Sequence, residues 1–184
     1  SDAVIAIAMT IMVLELQIPH GDTWAALSPL IPTFLAYVLS YVYLAIYWNN
    51  HHHMLAVTDH IDGHVMWANL HLLFWLSLVP FATGWMSEND FSMLPTAVYG
   101  SVLLLAAISY FILQRTILAH CDANNRLREA VKGRYKGKTS LALYAIAVPL
   151  AFWNQWIAVT LYVAVALMWL VPDRRIEEVV HGHE

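Results

Sequence analysis

From Ser1 to Gln114 the chain contains no lysine and no arginine; all nine basic residues stand at or after Arg115. The same stretch is a succession of long apolar segments parted by short polar turns. Few environments accept such a chain. In hydrocarbon every backbone N–H and C=O must be satisfied within the structure, so only α-helices and closed β-barrels cross it. An all-helical bundle is the reading that satisfies every backbone amide of these apolar runs in lipid. Composition agrees: 60% of the 184 residues are hydrophobic and 12% are charged, against about 25% charged in a soluble domain. The expected fold class is an all-α integral membrane protein. Eight tryptophans and nine tyrosines are read as aromatic belts at the two membrane interfaces.

Six segments are expected as spans, at about 2–18, 32–53, 60–85, 95–119, 139–152 and 156–171, forming one domain over 1–184. Pro19, His20, Gly21 and Asp22 end the first in a turn. Ser28, Pro29 and Pro32 lead into the second, since proline suits a first helical turn. Pro80 is expected to kink the third near its end. Ser87 to Asp90 form a loop before the fourth. The last two segments are short for a span of about 20 residues. They fit either two short spans joined by an interfacial turn at Trp153, Asn154 and Gln155 or one re-entrant hairpin, and two spans are preferred.

With six spans, the basic loop between the fourth and fifth and the C-terminal tail share a side. That side carries Arg126, Arg128, Lys132, Arg134, Lys136, Lys138, Arg174 and Arg175. The positive-inside rule makes it cytoplasmic, with both termini there. The outer loops carry Asp22, Glu88 and Asp90 and no base. The basic loop is read as a topology signal in contact with anionic lipid, with no nucleic-acid role. Cys121, the single cysteine, falls in that loop and is expected reduced. The chain opens inside an apolar helix without a basic region before it, so no cleavable signal is expected. The missing initiator Met points to further sequence before Ser1.

No enzyme motif is found: no G-x-S-x-G, no H-E-x-x-H and no phosphate-cradling glycine loop. The T-V-G-Y-G filter of ordinary potassium channels is also missing. Projected at about 100° per residue, the first segment gathers Ala3, Ile7, Thr10, Ile11, Leu14 and Ile18 within roughly 60° of one line. Asp2 points elsewhere. Such a stripe of aliphatics with one hydroxyl serves ordinary helix packing or lines a pore.

Asp2 needs a partner near the interface. With no base before Arg115, the histidines ending the second segment and Asn69 are the candidates. Polar contacts are therefore expected to tie segments one, two and three together at that level. Three adjacent histidines, His51, His52 and His53, point about 100° apart and cannot share one metal. Ordinary hydrogen bonding is preferred for them over proton sensing, or over metal binding by His51 with His60 or His64. His71 is read as a buried hydrogen-bonding residue. Glu15 flanks the stripe near the outer end, where it can meet water in a vestibule.

Ser1-Asp2-Ala3-Val4-Ile5-Ala6-Ile7-Ala8 resembles the first helix of the endolysosomal and bacterial potassium-channel family whose signature is R-x-x-x-F-S-D. Trp48 with His51 and His52 reproduces a W-x-x-H-H pattern, and Asn69 through Phe81 resembles that family's N-x-x-L-L-F…L-x-P-F third helix. The likeness covers essentially the whole chain; the signature's Arg and Phe would precede Ser1. The resemblance implies a homotetramer in a bacterial inner membrane, with first helices around a central pore. It implies potassium as the permeant ion, no cofactor and no carbonyl filter. By position, Ile7, Ile11 and Leu14 would form the constriction and Thr10 the polar ring. Ser1, Asp2, Trp48, His51, His52 and Asn69 would make up a structural polar network. The expected function is a potassium-selective channel gated at aliphatic rings that shut by dewetting, with proton permeation as a further expectation. The rival reading is a proton-coupled transporter using Asp2, Glu15 and the histidines; such carriers commonly show an internal repeat, and none is visible.

Overall fold

A computed structural model describes residues 1–56, 58, 61–120 and 135–170. Among these, all regular structure is helical: α1 Asp2–Ile11, α2 Trp24–Leu27, α3 Ile31–Ala56, α4 Gly63–Ser77, α5 Val79–Glu88, α6 Met93–His120, α7 Tyr135–Ala151 and α8 Gln155–Leu170. The loop from Cys121 to Arg134 and the tail with Arg174 and Arg175 lie outside the described residues, as does His60.

Among the described residues, three helical stretches are long and apolar enough to cross a membrane: Trp24–Ala56, Gly63–Glu88 and Met93–Ala119. The remaining apolar helices are shorter. The first segment departs most from expectation. Its α-helix stops at Ile11 and tightens into a 3-10 turn, Met12–Glu15, rather than running to Ile18. At about 1.5 Å per α-helical residue and 2.0 Å per 3-10 residue, this arm is about 23 Å long.

The third segment breaks at Leu78 into α4 and α5. Pro80 supplies the cause: it has no N–H to give the preceding turn, and its ring crowds the carbonyl four residues back. Leu78 N–H bonds to Trp75 O at 3.2 Å instead. Asp62 starts α4 by accepting from Val65 N–H at 2.9 Å, an N-cap. Between α5 and α6, Asp90 and Phe91 both take positive φ, 49° and 56°, uncommon for residues with a Cβ. Phe91 N–H bonds to Met86 O at 2.9 Å, and the Phe91 ring is buried against Trp156 at 5.6 Å.

α6 is central, packing on α4, α5, α7 and α8, while α1 lies against α3 and α4. The core holds an unexpected amount of tyrosine. Tyr43, Tyr99 and Tyr162 are among its largest fully buried side chains, so the belt reading of the tyrosines fails for them. Buried hydroxyls need partners, and these have them. Tyr99 OH and Ser40 Oγ share a bond at 3.0 Å, and Thr83 Oγ1 donates to Ser40 Oγ at 2.7 Å. Tyr43 OH donates to Tyr162 O, and Tyr162 OH donates to Thr96 O at 3.2 Å. Gly100 makes room for Tyr162: a Cβ there would stand 1.9 Å from its hydroxyl oxygen.

Candidate functional site: the first helix and its polar tether

α1 shows two opposite faces. Ile5, Ala8 and Met12, spaced as one side of a helix, are buried in the chain's own core. The opposite side carries Ile7, Ile11 and Leu14, which are 55%, 44% and 79% exposed. The 3-10 turn preserves their alignment, because residues three apart eclipse in that geometry, leaving Leu14 above Ile11. From Ile7 to Leu14 the row extends about 12 Å. Ile18, part of the same stripe in the sequence, falls beyond the helix and is separated from the row by the chain's turn at Leu16.

Thr10 lies exposed on α1. Its hydroxyl donates back to Ala6 O and Ile7 O, each at 3.0 Å. With its hydrogen engaged by the backbone, the oxygen presents lone pairs outward, the polarity that suits a cation.

The lower end of α1 is tethered by a chain of side chains from three helices. His51 on α3 sits 2.7 Å through Nε2 from Asn69 Oδ1 on α4. Asn69 Nδ2 in turn donates to Ser1 Oγ, at the N-cap of α1, at 2.8 Å. The polarity is consistent, since an amide oxygen accepts from the ring N–H and the amide nitrogen donates onward. His51 is 1% exposed, and its Nδ1 has no partner among the described residues. Asp2 takes a different neighbour from Ser1: His52 Nδ1 stands 3.9 Å from its Oδ2, with both side chains more than half exposed. Trp48 lies over His52, ring centroids 5.7 Å apart. Ser1, Asp2, His51, His52, Leu55 and Ala56 line a cleft of about 320 Å³.

Other expected residues are dispersed. Among the described residues no three of His, Cys, Asp and Glu gather as metal ligands. His71 is exposed in the chain, not buried, and its Nε2 accepts from Trp75 Nε1–H at 3.0 Å; placed on α4 four residues apart, the two meet along one helix face. Glu15 lies over α5, where a Cβ on Gly84 would stand 3.3 Å from its carboxylate. The Ser40–Thr83–Tyr99 cluster escaped the sequence reading. Its signal was the spacing of Ser40, Tyr43 and Tyr47 along one face of the second segment, a polar stripe at helical period.

The Endosomal/lysosomal potassium channel TMEM175 family model matches residues 1–80, the part containing α1, α3 and the tether. A potassium channel of Chryseobacterium sp. (strain P1-3) is 47% identical over 178 residues, 97% of this chain and 93% of that protein. A potassium channel of Chamaesiphon minutus is 28% identical over 177 residues, 86% of this chain and 84% of its own. The crystal structure of a lysosomal potassium-selective channel TMEM175 homologue from Chamaesiphon minutus superposes with a TM-score of 0.79 at 25% identity, covering 92% of both chains. The near full-length likeness to the first of these relatives, the family match over the helices that make the tether, and the shared fold together place the chain in the TMEM175 potassium-channel family.

Proposed function

We propose that the chain is a potassium-selective cation channel of the bacterial inner membrane, assembled as a homotetramer of six-span subunits with α1 around the central axis. One observation carries the reading. Ile7, Ile11 and Leu14 stand in register on the face of α1 that the chain's own core leaves uncovered. Lipid is a poor cover for that face. The arm is about 23 Å long, short of the roughly 30 Å hydrocarbon layer. Turned to lipid, it would draw Asp2 or Glu15 towards hydrocarbon, where an ionised group is costly. Around a shared axis both ends meet water.

Four-fold rings of Ile7, Ile11 and Leu14 then form a constriction that stops flow by dewetting when narrow. Four Thr10 oxygens between them offer acceptors to a partly dehydrated cation in place of a carbonyl filter. The outer loops, acidic and without base, concentrate cations over anions, and the basic residues after Arg115 hold the termini in the cytoplasm. Protons are a second permeant ion for a path of this kind. The relatives named as potassium channels favour conduction over the proton-coupled carrier reading.

The test is reconstitution into planar bilayers. Wild-type protein is expected to give unitary current steps, which a carrier turns over too slowly to produce. Ile7→Asn is expected to raise basal current severalfold by wetting one ring of the constriction. Currents equal to wild type in that variant would show the constriction to be elsewhere, and an absence of flux from folded wild-type protein would overturn the channel reading.

A further inference from the structure

The turn between α7 and α8 is built unlike the α5–α6 turn at the same end of the molecule. From Thr139 to Pro172 no residue is charged. At the tip, Phe152, Trp153 and Trp156 are 55%, 83% and 56% exposed, and the residues between the two tryptophans are the uncharged Asn154 and Gln155. The backbone of this turn has little need of water. Phe152 N–H bonds to Pro149 O, Trp153 and Asn154 N–H to Leu150 O, and Ile157 N–H to Asn154 O, at 2.8–3.2 Å. Trp156 N–H is taken by the Asn154 side chain at 2.9 Å. The contact of Trp156 with Phe91 puts the tip at the same end of the molecule as the α5–α6 turn. That neighbouring turn carries exposed Glu88, Asn89 and Asp90, the composition of a loop in water.

Helix length fixes the depth. Lys138, exposed in the first turn of α7, marks one headgroup layer. Trp153 lies about 22 Å from it along the axis at 1.5 Å per residue, against a hydrocarbon layer of about 30 Å. The lysine stem can reach outward by snorkelling; the tip has no such means, and it ends at the far boundary rather than beyond it. Tryptophan prefers that boundary, where an apolar ring and an indole N–H are both accommodated.

We propose that the α7–α8 turn is an anchor seated in the lipid headgroup layer, with Phe152, Trp153 and Trp156 as its inserted side chains. The proposal requires membrane embedding only and stands apart from conduction and oligomeric state. It is tested with nitroxide labels on Trp153→Cys, and separately on Gln155→Cys, in a Cys121→Ser background. The full chain is reconstituted in phosphatidylcholine/phosphatidylglycerol vesicles, with Asn89→Cys as the water-exposed reference. The ratio of oxygen to nickel-chelate collisions is expected to be severalfold higher at 153 than at 89, placing that label near the phosphates. A ratio equal to that at 89 would put the turn in water and overturn the proposal. Low collision rates with both reagents at 153 and 155 would overturn it too, by showing the turn covered by protein such as a second copy.

Discussion

Asn69 joins three helices through two hydrogen bonds, and Asn69→Leu tests whether that junction holds α1 in place. The substitution keeps the side chain's approximate size and deletes both bonds. The bond to Ser1 Oγ is exposed, so water replaces it at little cost. The bond to His51 is different, because His51 is 1% exposed and its Nδ1 is already without a partner among the described residues. Removing Asn69 Oδ1 leaves both ring nitrogens of a side chain that is 1% exposed without a partner among the described residues. A buried polar group stranded by loss of its partner costs about 1–3 kcal/mol, and that is the expected loss. His51→Leu/Asn69→Leu removes the stranded group together with its partner, and such paired apolar replacements are often close to neutral. The double variant is expected to regain most of the loss. The assay is reversible unfolding in mixed micelles followed by near-ultraviolet circular dichroism, run as a double-mutant cycle. A coupling energy near zero, with the double variant as unstable as the sum of the singles, would refute the tether.

Two further outcomes follow from the packing and the pore face. Gly100→Ala puts a methyl group 1.9 Å from the Tyr162 hydroxyl and is expected to destabilise by about 1–3 kcal/mol through overpacking. In a Tyr162→Ala background the clashing atoms are removed, so the same change is expected to lose its penalty and gain up to about 1 kcal/mol from helix propensity; thermal melts that show equal effects in both backgrounds contradict this account. Thr10→Ala is expected to narrow the potassium-over-sodium permeability ratio measured from reversal potentials, while Thr10→Ser retains it. An unchanged ratio in Thr10→Ala places selectivity elsewhere.

The loss of lysine and arginine before residue 115, the run of apolar segments and the proline at 80 were enough to read an all-helical membrane chain with a break in its third segment. These features answer to local rules: what hydrocarbon accepts, and what proline does to a helix. The outward stripe on α1 was legible for the same reason, because residue spacing fixes which side chains share a face. A polar tie among the first three segments was expected as well, but with Asp2 at its centre, since an acidic helix end without nearby bases must draw on the polar residues at the same depth.

Other features depended on packing between helices. Sequence could not place α1's termination at Ile11, because the 3-10 turn after it packs on α3 and α5, with Met12 buried, and those contacts arise only in the assembled fold. It could not separate belt tyrosines from core tyrosines, since Tyr43, Tyr99 and Tyr162 find their acceptors on other helices far away in the chain. Nor could it show that His71 faces outward and spends its acceptor on Trp75, or that Asn69 bonds Ser1 while Asp2 turns to His52. Periodicity determines a helix and its faces; which face meets which neighbour is settled only when the helices assemble, because those contacts join residues that the sequence keeps tens of positions apart.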